Sequence, residues 1–279
     1  GVELPSRPLE CWDVGAAPPE AALKSADEVW ALCCKFGARV QAFEPSVVGY
    51  RRLAAVMAVM SSNTLPGGMP KVQRFALSNF TGERRFNRGG RSTGSLDDRG
   101  CGLWIDSAEC NDPATWELVN VTTVDMLLGT GFIDILKVDT EGHEWEVVLG
   151  ASRAINEGRI GLVILEYGDK WSEDLSLATK HFDGTQRDKS PAELKEPSLY
   201  SVVGWFTARE YEAYAIGSTT PVPIGGDWWH DIYEACQAPH APHFDGVGLV
   251  CWYDVAFVYK QHPLAEVIRA AVVWDAFHW

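Results

Sequence analysis

The sequence predicts an α/β protein in which helices cover both faces of a mostly parallel sheet. Segments with strand-like and helix-like periodicity alternate along the chain, and this alternation is typical of βαβ units. The most apolar segments, residues 133–138 and 160–166, are short and nearly continuous, as expected for strands that are buried on both faces. Acidic or small polar residues stand at several strand ends, which is the edge where ligands of such sheets bind.

The expected elements follow from the periodicity and from the turn and capping residues between them. In the first part of the chain they are strand 9–14, helix 19–36, strand 39–43, a helix capped by Ser46, strand 72–77 and a hairpin over 80–88. Farther along they are strand 119–124, helix 125–128, strand 133–138, helix 144–155, strand 160–166, helix 206–211 and strands 214–216 and 252–259. No repeat is present, so we expect one domain over 1–279.

Two polar segments without periodicity are expected to be loop insertions in this domain. They lie near residues 87–116 and 169–197 and are rich in Gly, Ser, Asp, Arg or Lys. Loops of this length tend to be functional or mobile.

Composition excludes several classes of function. The chain has 279 residues, of which 46% are hydrophobic, and this is enough to bury a full core. Its 24 basic and 38 acidic residues give a net charge of −14, which argues against a nucleic-acid partner because such binding depends on Lys and Arg at phosphates. No apolar run approaches the roughly 18 residues of a membrane span.

The cysteines indicate neither a zinc cluster nor a disulfide framework. There are seven of them, with no metal-type CxxC pair, although Cys101 and Cys110 could pair within one segment. A reduced, cytoplasmic protein is therefore preferred. The chain begins at Gly1, so the loss of an upstream targeting segment stays open. The oligomeric state is not predicted.

The polar residues at five successive strand ends predict a ligand site, since a strand end needs no carboxylate for packing. These residues are Asp13 with Gly15, Glu44, Ser78 with Asn79, Asp139 and Glu166. Glu44 ends the second strand, where a carboxylate can accept hydrogen bonds from both hydroxyls of a ribose. The pattern therefore predicts a nucleoside-containing cofactor.

Structural roles for the same residues are the alternatives. Asp13 could be a turn or capping residue, and Glu44 before Pro45 could be an exposed strand end. Acidic residues after Asp139 could complement a helix dipole, which explains Glu144 well. A helix-dipole role does not explain why titratable groups alternate at this strand end, at Lys137, Asp139, Glu141 and His143.

Motifs along nearly the whole chain resemble the FkbM family of S-adenosylmethionine-dependent methyltransferases. They are DVGA at 13–16, VQAFEP at 40–45, FALSN at 75–79, VTTVDMLL at 121–128, ILKVDTEGHEWEVVLGA at 135–151, LVILEYG at 162–168, YEAYAIG at 211–217 and WYDVAFV at 252–258. The resemblance implies a class I methyltransferase, Rossmann-like fold. Its sheet has seven strands, mostly parallel, with an antiparallel last strand.

The resemblance also implies where S-adenosyl-L-methionine binds. It places the methionine moiety near Asp13 and Gly15, the ribose at Glu44, and the adenine near residues 76–78, with Asp139 facing the sulfonium and the acceptor. The implied cofactor-binding residues are Asp13, Gly15, Ala16, Glu44, Pro45, Ala76, Leu77, Ser78, Asn79 and Asp139. The family's second glycine is absent here, because the chain has Ala17 and Pro19, and whether this weakens cofactor binding stays open.

The implied reaction is methylation of a hydroxyl on a small molecule or sugar, with N-methylation as a weaker alternative. The candidate bases are Asp139, Glu141 and His143, which cluster after one strand. No metal is predicted, although carboxylates near this strand end could orient an acceptor through one. The acceptor pocket is expected from 87–116, 169–197 and 225–230, where several of the 12 Trp lie.

Two other functions remain as alternatives. The chain could be a non-catalytic nucleoside-binding module of the same fold. It could also be a nicotinamide-dependent oxidoreductase, although no GxGxxG follows the first strand.

Overall fold

The structure, a computed structural model, describes residues 7–16, 37–60, 70–87, 116–168, 198–216, 220–230, 233 and 252–272. The chain divides into two compact units, one of residues 5–163 and one of residues 1–4 with 164–279. The single domain over 1–279 and its insertions stay predictions. The helix expected over 19–36, Ala17, Pro19 and the cysteines at 101 and 110 lie outside the described residues.

The first unit contains most of the described strands and four described helices. In chain order the strands are β1 (Glu10–Val14), β2 (Arg39–Phe43), β3 (Lys71–Gln73), β4 (Ala76–Leu77), β5 (Gly82–Asn87), β6 (Trp116–Thr122), β7 (Ile133–Val138) and β8 (Ile160–Gly168), which continues past the boundary of the unit. The helices are α1 (Val47–Met60), α2 (Val124–Leu128), α3 (Glu144–Gly150) and α4 (Ser152–Asn156).

The larger sheet of this unit is built around β1. Its strand order is β3-β2-β1-β7-β8. β1 pairs in parallel with β2 and with β7, and β2 pairs in parallel with β3. The expected α/β fold with a large, mostly parallel sheet is therefore confirmed.

One face of this sheet carries an apolar core below the candidate site. Cys11 on β1, Val40 and Ala42 on β2, and Leu53 on α1 form a buried cluster. Asp13 lies two residues beyond Cys11 and is opposite Ala42 in the strand register, so it continues the same face toward the carboxyl ends of the strands. The acidic residue is thus held at the upper boundary of a packed core.

A second, three-stranded sheet corrects the prediction for residues 72–88. The expected strand 72–77 is two strands, because β3 pairs with β2 whereas β4 pairs in parallel with β6. β5 pairs antiparallel with β6 and does not form a hairpin with β4. The chain changes sheets because Ala76 packs into a separate apolar cluster with Phe86, Val119 and Val121.

The second unit is mainly antiparallel. Its described elements are α5 (Leu199–Thr207), β9 (Tyr211–Ile216), β10 (Pro221–Pro223), a 3₁₀ helix (Gly226–Trp228), β11 (Trp252–Tyr259) and α6 (Pro263–Ala271). β11, the last described strand, pairs antiparallel with β9. β10 pairs antiparallel with the other edge of β9 and is a strand that the seven-stranded pattern does not contain.

Several boundaries differ from the expected ones for local reasons. The helix expected at 206–211 is α5, which begins after the Ser198 cap and ends before Tyr211, the first residue of β9. The helix expected at 144–155 is interrupted at Ala151. β8 runs to Gly168, so Glu166 lies inside the strand and not at its end. No helix in the described part of the chain is long and apolar enough to cross a membrane.

Candidate active site

Backbone hydrogen bonds join the carboxyl ends of β1, β2 and β7. The amides of Gly15 and Ala16 both donate to the carbonyl oxygen of Phe43, at 3.0 and 3.2 Å. The Asp139 amide donates to the carbonyl oxygen of Val14 at 2.9 Å. The loops after β1 and β7 are therefore bonded directly to the last residues of the neighbouring strands β2 and β1.

Gly15 is required by this contact. Its φ is +83°, a conformation that L side chains rarely adopt. A Cβ at this position would lie 1.7 Å from the carbonyl oxygen of Asp139. The absence of a side chain thus allows the loops after β1 and β7 to touch.

Lys137 is next to both Asp13 and Asp139, one across the strand pair and the other two residues farther along the chain. Asp13 is 4% exposed and is opposite Lys137 in the register of β1 and β7. Nζ of Lys137 lies 3.2 Å from Oδ2 of Asp139, whose side chain is 31% exposed. The site therefore contains one buried carboxylate, one accessible carboxylate and a lysine that orients the accessible one.

Glu44 lies half-buried against the first turn of α1. Its Oε1 accepts a hydrogen bond from the Ser46 amide at 2.8 Å. A Cβ on Gly49 would come within 2.5 Å of the same oxygen, so the carboxylate rests directly on the helix backbone. Burial raises the pKa of Glu44, although the hydrogen bonds from Ser46 oppose this effect. The next residue, Pro45, is buried.

The loop after β7 is organised by Glu144, which the sequence explained only as a helix-dipole residue. The buried carboxylate accepts through Oε1 from the amide of Thr140 at 2.8 Å and from the amide of Gly142 at 3.1 Å, and the Thr140 hydroxyl donates to the same oxygen. Burial raises the pKa of Glu144, and these backbone hydrogen bonds counteract it in part. Glu141, between these contacts, has φ +60° and a partly buried side chain.

Ser78 and His143 are in contact, which the sequence did not predict. Ser78 is fully buried, and its Oγ lies 2.9 Å from Nε2 of His143, which is 5% exposed. On the other side of the ring, Nδ1 of His143 lies 3.7 Å from Oε2 of Glu146. The end of β4 is therefore fastened to the loop that carries Asp139.

The other residues expected near an adenine have different surroundings. Ala76 packs in the core of the small sheet, Leu77 is buried, and Asn79 is exposed. Their role in cofactor binding stays a prediction. Within the described residues, no group of three or more His, Cys, Asp or Glu side chains is arranged to hold a metal ion.

The fold and the strand ends together define a class of protein, a mixed α/β protein with a large, mostly parallel sheet and acidic residues at the carboxyl ends of its parallel strands. The family model of the methyltransferase FkbM domain matches residues 13–192, which is more than half of the chain. The chain therefore belongs to the FkbM methyltransferase family. The comparison with curated proteins gives no match.

Among solved structures, the chain is similar to the crystal structure of methyltransferase FkbM from Methylobacillus flagellatus KT. The sequence identity is 18% and the TM-score is 0.39, over 65% of this chain and 38% of that chain. The chain thus spans well under two thirds of the length of that protein.

Proposed function

We propose that this protein transfers a methyl group from S-adenosylmethionine to a hydroxyl oxygen of a small molecule or sugar. We further propose that it does so on a class I methyltransferase fold. The observation that carries the proposal is the convergence of the strand ends that hold Asp13, Glu44 and Asp139, joined through the Gly15 contact.

The chemistry of these residues fits the proposed cofactor. S-adenosylmethionine has a cationic sulfonium, a cationic ammonium and a ribose diol, so it needs negative groups and hydrogen-bond acceptors. Asp13 and Asp139 supply the carboxylates, and Glu44 supplies the acceptor for the diol. The Ser46 amide holds Glu44 in place, so little ordering of this side chain is needed on binding.

The protein's part in the reaction is to position the acceptor and to take its proton. When bound, S-adenosylmethionine supplies an electrophilic methyl group. Methyl transfer then depends on in-line alignment of the acceptor oxygen and on a base within hydrogen-bond reach of it. Asp139 and Glu141 follow β7, and both are partly exposed, so either carboxylate can meet an acceptor.

Segment 225–230, which the sequence predicts for acceptor binding, contains two tryptophans. In the second unit, the ring of Trp229 packs edge-on against Tyr200 and Tyr233, at centroid distances of 5.0 and 5.8 Å. The neighbouring Trp228 is 47% exposed. Aromatic surfaces of this kind suit the apolar faces of sugars and the rings of phenols. The other segments proposed for the acceptor pocket lie almost entirely outside the described residues.

The test is incubation with S-adenosylmethionine carrying a deuterated methyl group and a panel of sugars, phenols and amines. We expect mass spectrometry to find the label on a hydroxyl oxygen. Calorimetric titration with S-adenosylhomocysteine and with NAD should show binding of the first alone. Binding of NAD alone would instead indicate an oxidoreductase, and binding of S-adenosylhomocysteine without turnover would indicate a non-catalytic module.

A further inference from the structure

We infer that His143 is a positioning residue for methyl transfer, which acts through its contact with Ser78 and does not take the acceptor's proton. The inference rests on the proposed function, because it assigns a role within the proposed active site. It leaves Asp139 and Glu141 as the groups at this strand end that can act as a base.

The two ring nitrogens of His143 both face protein groups. Nε2 lies 2.9 Å from Oγ of Ser78, and Nδ1 lies 3.7 Å from Oε2 of Glu146. A general base must come within hydrogen-bond reach of the acceptor's hydroxyl. Ser78 is fully buried and His143 is 5% exposed, so an acceptor would have to displace a buried contact to reach Nε2. To reach Nδ1 it would have to pass Glu146 into a ring that is almost entirely buried.

Ser78, which contacts the imidazole of His143, is itself held in place by other contacts. Its amide donates to the carbonyl oxygen of Thr122 on β6 at 2.9 Å. Its own carbonyl oxygen lies so close to Gly150 on α3 that a Cβ there would be 1.9 Å away. The serine is therefore fixed by the small sheet and by the helix that follows the loop.

The loop between β7 and α3 is consequently held at both ends. At its start the carbonyl oxygen of Asp139 packs on Gly15, and at its end His143 contacts Ser78. Glu141 lies between these two points in a left-handed conformation, with φ +60°. Loss of the His143 contact frees one end of this loop and so misplaces the carboxylates.

His143→Gln and His143→Ala distinguish the two roles. A glutamine amide can reach Ser78 but cannot act as a base at neutral pH, so His143→Gln should keep most of the wild-type kcat and an unchanged pH profile. His143→Ala should lower kcat roughly tenfold or more through misplacement. His262→Gln is the matched control, because His262 is also buried but caps α6 in the second unit. Equal loss of activity in His143→Gln and His143→Ala, with a changed pH profile, would overturn the inference.

A double-mutant cycle with Ser78→Ala tests the contact itself. Ser78→Ala, His143→Ala and the double variant should be non-additive in urea unfolding of the protein without cofactor and in affinity for S-adenosylhomocysteine. The ¹⁵N resonances of the His143 ring should also shift in Ser78→Ala. If the effects are additive and S-adenosylhomocysteine still binds, the positioning role is overturned but the proposed function is not. Coupling in unfolding without any S-adenosylhomocysteine binding would overturn the proposed function, and the positioning role with it.

Discussion

At the scale of single residues, the contact between Gly15 and Asp139 gives the sharpest prediction. Gly15→Ala should destabilise the protein by roughly 3 kcal/mol, from the positive φ together with the clash at 1.7 Å from the Asp139 carbonyl oxygen. Equilibrium urea unfolding measures this loss. Binding of S-adenosylhomocysteine should weaken as well, because the loop after β7 must move away.

Gly129→Ala is the control for the backbone conformation. Gly129 has φ +58°, but a Cβ there would meet nothing within 4 Å. The full conformation, with φ +58° and ψ −113°, is strained for an L side chain, but without a clash the substitution should cost less than Gly15→Ala. Equal losses for the two variants would show that the packing of Gly15 on Asp139 contributes nothing to stability.

Glu44 gives a second prediction at this scale, since its charge and its contact with α1 can be separated. Glu44→Gln keeps an oxygen that can accept from the Ser46 amide but removes the negative charge. We expect stability near that of the wild type and a loss of about 1–3 kcal/mol in S-adenosylhomocysteine binding, the scale of charge-assisted hydrogen bonds. Calorimetry measures the dissociation constant, and an unchanged value would remove Glu44 from the site.

The sequence could predict which strand ends carry the acidic residues, but not the partners that arrive from the small sheet. Asp13, Glu44 and Asp139 follow from the rule that parallel strands end at one edge. The contact of Ser78 with His143 depends on the separation of β4 from β3, and no local pattern marks that break. Glu144 was predicted as an acidic first-turn residue, yet its bonds to Thr140 and Gly142 depend on a loop conformation that periodicity does not reveal.

At the scale of elements, Glu144 links the stability of α3 and its preceding loop to pH. Burial raises the pKa of this carboxyl, so the folded state binds its proton more tightly than the unfolded state does. The contribution of Glu144 to stability is therefore fully present below the ordinary pKa of a glutamate. It is lost as the pH rises through the raised pKa of the folded state. The difference between the unfolding free energies, wild type minus Glu144→Gln, should therefore decrease as pH rises.

Urea unfolding of both proteins from about pH 4 to about pH 8 measures this difference. Subtracting the variant removes the contribution of Glu44, whose pKa is raised by burial as well. A difference that grows in favour of the wild type with rising pH would contradict the prediction. In that case the hydrogen bonds from Thr140 and Gly142 would outweigh the cost of burying the charge.

Strands with strong apolar runs were predictable, whereas elements set by tertiary pairing were not. The bounds of β2, β7 and β11 match those expected from the sequence. β3 and β4 contain three and two residues and owe their separation to their partners, β2 and β6. α6 was not predicted, although the sequence contains its signals: His262 caps it, Pro263 begins it, and Leu264, Val267, Ile268 and Ala271 recur at helical spacing.

At the scale of the whole molecule, the bound cofactor product should stabilise the folded state. A polyanion should not, because of the protein's negative net charge. S-adenosylhomocysteine at one hundred times its dissociation constant should stabilise the folded state by about 2.7 kcal/mol, since it binds the native state alone. NAD at the same concentration should have no effect. Heparin should not stabilise the protein either, because a net charge of −14 repels a polyanion. Urea unfolding with each ligand measures the shifts, and Glu44→Gln should reduce only the shift caused by S-adenosylhomocysteine. Stabilisation by NAD or heparin that equals or exceeds that by S-adenosylhomocysteine would contradict both the cofactor assignment and the argument from charge.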